Sequence, residues 1–329
     1  MDELDDLTWP SACAYMCEVY NYSHNLQKSR HLDPELIERM QYPTISPLPM
    51  VVKPAPALPS RGRRERRPVK AKSPHSLVAM VQGVTPVVCR LSRDTLVLMH
   101  LHSFLCHSEV IGWLGGSVDG DKVTVACSFP VKAYSHTENP NINVEMNIED
   151  AFAVKEEMQR QGLGIVGWYH SHPTFENTPS ILDIENQQSH QRACEGRFIG
   201  AIVSPYWCSS GVVMLPSLCA FTVEEDSEHF STYEHHPACE VRHEMYGEAN
   251  GALLLTKAKE LIVAYATHPR RVNFKAPWKR GLTHEEKFRQ GLVELVSCDF
   301  AEAVLAALHE VWPEDPEPQK SKRPKTHRS

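Results

Sequence analysis

The chain has 329 residues and a mass of 37.2 kDa, room for one sizeable domain with extensions or for two small domains. Its apolar share of 42 % and charged share of 23 % are those of an ordinary soluble globular protein. No run of about 18 apolar residues is present, so a membrane span is not expected. The opening MDELDDLTWP is acidic and lacks the basic-then-apolar order of a secretory signal.

The formal charge of −7 is unevenly spread. Arg61–Lys72 holds seven basic residues and one acid, and Lys320–Ser329 holds five basic residues and no acid. An acidic body with two basic, Pro-containing arms results. Each arm reads either as a solvated linker or as a nuclear-import or nucleic-acid-contacting segment. Lys322-Arg323-Pro324-Lys325 favours import, hence a nuclear protein, with the cytoplasm as the alternative. The ten cysteines are scattered, with no CxxC pair and no dense framework. Cys106, Cys127 and Cys219 lie in apolar runs, and the set reads as reduced packing residues.

In chain order, residues 1–42 carry Trp9, Tyr15, Tyr20 and Tyr22, with Ala12, Met16 and Val19 at helical spacing. That pattern suits one short helix docking on a partner or on the body. Residues 43–76 turn Pro-rich and then Arg-rich, a semi-extended linker. The body opens near Leu77. Ser92 can cap a helix running to about His107. Glu109–Gly116 and Lys122–Phe129 read as strands, the second entered through the Asp119-Gly120 turn. After an irregular stretch, Tyr134–Met146, Asn147 and Asp150 open a helix that stops at Gly162. Gly164–Ser171 reads as a strand and Ser180 to about Cys194 as a helix. Strands follow near Phe198–Ser204, Gly211–Leu215 and Cys219–Glu224. Strands and helices alternating in this way predict an α/β domain on a mixed sheet over residues 77–225. Residues 226–246 are a polar insertion rich in His and Glu. Helices at Gly251–Ala266 and Thr283–Val311 complete the body to residue 312, the second opened by a Thr283/Glu286 capping box. A basic tail, 313–329, ends the chain.

The chemistry concentrates in Gly167-Trp168-Tyr169-His170-Ser171-His172-Pro173 and Ser180-Ile181-Leu182-Asp183. Side chains at i and i+2 of a strand share a face, so His170 and His172 present two imidazoles on one side. Asp183 falls in the first turn of the next helix, which the loop Pro173–Pro179 can return over the strand end. Two His and one carboxylate, with a fourth position left for water, is a catalytic zinc pattern, and the N,N,O set suits Zn²⁺ over Mg²⁺ or Ca²⁺. Taken singly, His-x-His is a chance pattern in a chain with 18 histidines, and Ser-x-x-Asp is an ordinary helix cap. Both together, in this order and context, are harder to explain as chance.

With seven residues between His172 and Ser180, this arrangement resembles the signature of the JAMM (MPN-plus) isopeptidases. Those enzymes also need an upstream Glu on a strand near a Gly-rich turn, and Glu109-Val-Ile-Gly-Trp-Leu-Gly-Gly matches it. The resemblance implies that His170, His172 and Asp183 bind one catalytic zinc, that Glu109 is the general base on its water, and that Ser180 helps stabilise the oxyanion. Zinc can lower a water pKa to about 7. A neighbouring carboxylate can pass the proton to the leaving amine, and an oxyanion donor is worth about 3 kcal/mol in comparable sites. Across Ser92 to about Trp312 the chain is similar to the Myb-like, SWIRM and MPN histone deubiquitinases, through LVLMHLHSFLCHSEVIGWLGG, VEMN, GWYHSHP, PSILDI and FIGAIVSP. The resemblance implies a curved MPN sheet with flanking helices and a helical extension. It also implies ubiquitin and ubiquitinated protein, nucleosomal histone included, as partners.

Two departures bear on this expectation. The loop Thr174–Thr178 lacks the Gly and Cys of the proteasome-lid and signalosome subunits, and residues 1–76 leave no room for Myb-like and SWIRM modules. Trp168 and Tyr169 read as core aromatics. Tyr134–Met146 and Pro205–Ser210 match insertions that flank the ubiquitin tail in the family, and otherwise are plain surface loops. His229, His235, His236, Cys239 and His243 crowd one segment. A solvated insertion is the preferred reading over a second, structural zinc, because the AMSH-type relatives supply a His two residues after the metal Asp where this chain has Glu185. The alternatives to a deubiquitinase are a non-catalytic MPN scaffold and an isopeptidase for a ubiquitin-like modifier.

Overall fold

A computed structural model describes residues 87–134, 144–194, 197–207, 217–223, 238–249, 251–279 and 281–313. The expected docking helix, the linker, both basic arms, the strand at Gly211–Leu215 and the histidines at 229, 235 and 236 lie outside the described residues. Within them the order is β1 (Val88–Ser92), α1 (Arg93–Phe104), β2 (Ile111–Asp119), β3 (Lys122–Val131), α2 (Ile148–Arg160), β4 (Gly164–Ser171), α3 (Ile181–Ala193), β5 (Ile199–Ser204), β6 (Ser217–Val223), β7 (Ala238–Glu240), β8 (Arg242–Tyr246), α4 (Gly251–Ala266), α5 (His284–Val293) and α6 (Cys298–Val311). The architecture is the expected mixed α/β one. No described helix is long and apolar enough to cross a membrane.

The strands form one sheet in the order β7-β6-β5-β4-β2-β3-β1-β8. β2/β3, β2/β4, β5/β6 and β6/β7 are antiparallel, whereas β1/β3, β4/β5 and β1/β8 are parallel. Only Val241 separates β7 from β8, yet β7 pairs with β6 and β8 with β1. One short segment therefore bridges the two ends of the sheet, and the Val241 N–H, bonded to the Ala220 carbonyl at 2.8 Å, joins its halves. The closure leaves little exposed edge for pairing with other chains. The described end of the polar stretch 226–246 carries these two short strands. That segment was hard to see because β8 is largely exposed and so lacks the apolar alternation of a half-buried strand.

Closure needs curvature, which β2 supplies. Its pairing slips by one residue at Leu114/Gly115 against β4 and at Gly115/Gly116 against β3. A Cβ on Gly116 would collide with the Thr124 carbonyl, so this bulge demands glycine.

Helix α1 is capped by Ser92, whose Oγ accepts the Thr95 N–H at 3.1 Å. Every residue from Thr95 to Phe104 is buried, the polar Thr95, His100, His102 and Ser103 included. Leu96 and Met99 pack with Leu91, Leu114, Val125, Tyr169 and Val203 from the sheet. Val97, Leu101 and Phe104 pack with Ile262, Phe288, Val304 and Leu308 from the carboxy-terminal helices. The single helix expected over Thr283–Val311 is two. Thr283 caps α5 with the expected box, and Ser297, accepting the Phe300 N–H at 3.3 Å, starts α6 afresh. Among the described cysteines Cys89, Cys106, Cys219 and Cys239 are buried, and Cys127 is half-buried.

Burial holds the imidazoles of His100 and His190 down at about 4 and that of His102 at about 3. Their folded values lie below the unfolded value near 6.5, so unfolding takes up protons below that pH. Stability is complete above about pH 6.5 and falls towards pH 4, by up to about 4 kcal/mol per pH unit if all three contribute. Glu109, shifted the opposite way, offsets part of this. Urea midpoints should therefore drop steadily from pH 7 to pH 5, and a flat profile would contradict the buried neutral histidines. Gly116→Ala should cost about 1–3 kcal/mol in the same assay. Gly251→Ala, where a Cβ would meet nothing within 4 Å, should not destabilise.

Candidate active site

The site forms where β2 begins and β4 ends. These strands pair antiparallel with Ile111 opposite His170. The Ser171 N–H donates to the Val110 carbonyl at 2.9 Å, and the Val110 N–H donates to Ser171 Oγ at 3.0 Å. Continued two residues outward, this register sets Glu109 opposite His172. Residues directly opposite share a face, so Glu109, His170 and His172 face the same way. On the other face Gly112 opposes Tyr169, and a Cβ there would come 2.5 Å from the Phe129 carbonyl oxygen. Only a glycine lets the strands and the Tyr169 ring approach this closely.

Helix α3 brings the carboxylate. Ser180 is its N-cap, and Ser180 and Asp183 close a capping box. The Ser180 N–H and Oγ–H each donate to Asp183 Oδ2 at 2.7 Å, and the Asp183 N–H returns to Ser180 Oγ at 3.2 Å. The cap thus fixes the Asp183 rotamer. His170 Nε2 then lies 3.1 Å from His172 Nε2 and 3.2 Å from Asp183 Oδ1, and His172 Nε2 lies 3.6 Å from Asp183 Oδ2. A tetrahedral ion with bonds of about 2.0–2.1 Å needs its donors about 3.3 Å apart. One donor atom from each of the three side chains lies within 4.8 Å of the others, close enough for a shared ion, and among the described residues no other group of three His, Cys, Asp or Glu does so.

The surroundings orient both rings. His172 Nδ1 lies 2.6 Å from the Glu176 carbonyl oxygen. A carbonyl only accepts, so Nδ1 carries the proton and Nε2 keeps its lone pair for the site. Phe175 stacks on the same ring at 4.2 Å. Trp168 stacks on His170 at 4.8 Å and 12°. Its indole N–H donates to Gln187 Oε1 at 2.7 Å, and Gln187 in turn donates to the Phe198 carbonyl at 2.7 Å. Gln191 adds two bonds to the backbone of Val223, accepting its N–H at 2.7 Å and donating to its carbonyl at 2.8 Å. Sequence reasoning missed these two glutamines, which lock α3 onto the sheet. The signal was their spacing of four residues on a helix with few other apolar anchors.

Electrostatics divides the two carboxylates. Burial alone would raise Asp183, but His170 and His172 beside it hold its carboxyl well below the usual range. Burial, and then the charge of Asp183, pushes Glu109 well above it. Burial lowers His170, with Asp183 acting against that. The arrangement thus contains a carboxylate poised to bind a cation and another poised to exchange a proton.

All five expected site residues come together here. Ser180 does so with its hydroxyl donated to Asp183. Of the crowded His/Cys segment, Cys239 is buried in β7 and His243 is exposed on β8. Tyr134 and Tyr206, from the two expected insertions, differ in that Tyr134 is exposed whereas Tyr206 is buried with its hydroxyl on the Phe104 carbonyl at 2.7 Å.

Residues 84–196 match the family described as JAB1/Mov34/MPN/PAD-1 ubiquitin protease. Deubiquitinase MYSM1 of Mus musculus is 29 % identical over 238 residues, which are 69 % of this chain and 28 % of that protein. The histone deubiquitinase MYSM1 of Xenopus laevis is 32 % identical over 126 residues, 37 % of this chain and 15 % of the relative. An MPN domain-containing protein of Danio rerio is 33 % identical over 172 residues, 46 % of this chain and 36 % of the relative. The chain therefore spans about a third or less of the length of these relatives. Residues 84–196 thus resemble the MPN domain of that family, and 69 % of the chain is similar to deubiquitinase MYSM1.

Proposed function

We propose that this chain is a zinc-dependent isopeptidase that hydrolyses the bond between the ubiquitin carboxy terminus and a substrate lysine. The observation that carries the reading is the convergence of His170, His172 and Asp183, with Glu109 near enough to feel the charge of Asp183. In this reading His170 Nε2, His172 Nε2 and Asp183 hold the zinc. When bound there, zinc would supply Lewis acidity and lower the pKa of a bound water to about 7. Glu109 accepts a proton from the attacking water and delivers it to the lysine nitrogen as the carbon–nitrogen bond breaks. Its pKa, raised by burial and by the charge of Asp183, suits a group that must both take and give up a proton. Ser180 has one hydroxyl proton, so it serves one acceptor at a time: Asp183 at rest, the developing oxyanion during reaction. The products are a free ubiquitin carboxylate and a lysine amine, with no covalent enzyme intermediate.

A ubiquitinated histone is the proposed substrate, supported by the relative named as a histone deubiquitinase. A nuclear location is supported by the basic tail. Residues 77–225 are the proposed catalytic unit and the helices up to 312 its extension.

Glu109→Gln should lower the rate on a ubiquitin–lysine isopeptide by about 10²–10⁴-fold while leaving one zinc per chain. His170→Ala should lose the zinc itself. Chelation should abolish wild-type activity and added zinc restore it. Wild-type protein that takes up no zinc would refute the metalloprotease reading. Zinc-loaded protein that cleaves only a ubiquitin-like modifier would redirect the substrate.

A further inference from the structure

We propose that the segment Thr267–Gly281, between α4 and α5, is a docking surface for nucleic acid set against the rim of the candidate site. Five cations, Arg270, Arg271, Lys275, Lys279 and Arg280, fall in this segment without a single acid, in a chain whose net charge is −7. A polyanion is repelled by the acidic chain at long range, so attraction must come from local clusters of this kind.

The segment is held rigidly. The His107 N–H donates to the Arg270 carbonyl at 2.9 Å, and the Val272 N–H donates to the Leu105 carbonyl at 3.0 Å. Cys106 and Arg271 form an antiparallel bridge. Val272 and Phe274 plug into the core, and Gly281, at φ 79°, turns the chain back towards Thr283. The Trp278 indole N–H reaches the Tyr206 carbonyl at 3.3 Å. Both anchors adjoin the site. Cys106 and His107 run directly into Glu109, and Tyr206 follows β5, whose Val203 carbonyl accepts the His172 N–H at 2.9 Å.

Arg270, Lys275 and Lys279 are exposed, and Trp207 and Trp278 are partly so. Lys279 Nζ lies 5.8 Å from both indole centroids. Cations interleaved with aromatic planes suit phosphodiesters flanked by bases that stack, which favours nucleic acid over an acidic protein face. Glu285 lines a hollow with Lys275, and its carboxylate is bridged to His309 at 3.0 Å. The surface is distinct from the donors of the candidate site and does not depend on the isopeptidase reading. If both hold, the segment would keep a nucleic-acid-bound substrate beside Glu109.

The test is binding of a fluorescein-labelled duplex of about 20 base pairs, and of the matching single strand, to the full chain between about 50 and 200 mM salt. Wild type is compared with Arg270→Glu/Lys275→Glu/Lys279→Glu, both retaining the basic arms, so the difference reports this segment. The expected result is at least tenfold weaker binding and a slope of log affinity against log salt shallower by about 2–3. Should the charge reversals not fold, the triple Gln variant is expected to show the same change of slope. Unchanged affinity and slope in a folded variant would overturn the proposal. So would poly-glutamate binding this segment more tightly than either nucleic acid. Binding is read without turnover, so a failure of the isopeptidase reading leaves this result standing.

Discussion

The pairing of β2 with β4 in one register is the constraint from which the site follows. With Ile111 opposite His170, Glu109 falls opposite His172, and all three polar side chains share a face. A slip of one residue would turn the histidines away from Glu109 and towards the opposite face. Several contacts forbid the slip. Ser171 and Val110 exchange bonds through backbone and Oγ, Gly112 admits the Tyr169 ring that no larger residue would allow, and Trp113 pairs with Trp168. The Tyr169 hydroxyl is then used from below, meeting His102 Nδ1 at 2.8 Å, while His102 Nε2 meets the Tyr265 hydroxyl at 2.7 Å. The strand carrying the donors is thus tied through α1 to α4.

That tie matters because α1 belongs to two cores. Its sheet-facing residues complete the packing inside the closed sheet, and its other residues complete the packing of the last three helices. The carboxy-terminal helices therefore continue the body, and removing them would expose Val97, Leu101 and Phe104 to water. Each such side chain contributes about 1.5–3 kcal/mol when buried. The basic segment after α4 is held against the end of α1 through the backbone of Leu105 and His107.

Buried polar groups in this body fall into two kinds. His102, Gln187, Gln191 and Tyr206 are neutral and have hydrogen-bond partners, which keeps the cost of burial low. His170, His172, Asp183 and Glu109 are ionisable and crowd within reach of one another, an arrangement that a purely structural core avoids. Two imidazoles and a carboxylate directed at one point accept that cost in a way that a bound cation would relieve.

The residues of the site were legible in the sequence because they are local. His-x-His needs only the two-residue period of a strand, and Ser180 with Asp183 needs only the geometry of a helix start. Caps at Ser92, Asn147 and Thr283, and the turn at Asp119-Gly120, were readable for the same reason. What the sequence could not reveal depends on partners far along the chain. Strand β8 hides because its exposed residues lack the apolar rhythm that marks a half-buried strand, and its role in closing the sheet exists only once β1 and β6 lie on either side. The break between α5 and α6 was masked by an apolar pattern continuous enough for one helix, which the Ser297 cap interrupts. The Gln187 and Gln191 bonds look like surface polarity until β5 and β6 arrive. Sequence alone thus determined which side chains gather in the candidate site and the local backbone that bears them. Only the tertiary structure decided that Glu109 comes under the charge of Asp183, that α1 unites two cores, and that Arg270 and Val272 bond to the backbone of Leu105 and His107, because each joins distant residues that no local period encodes.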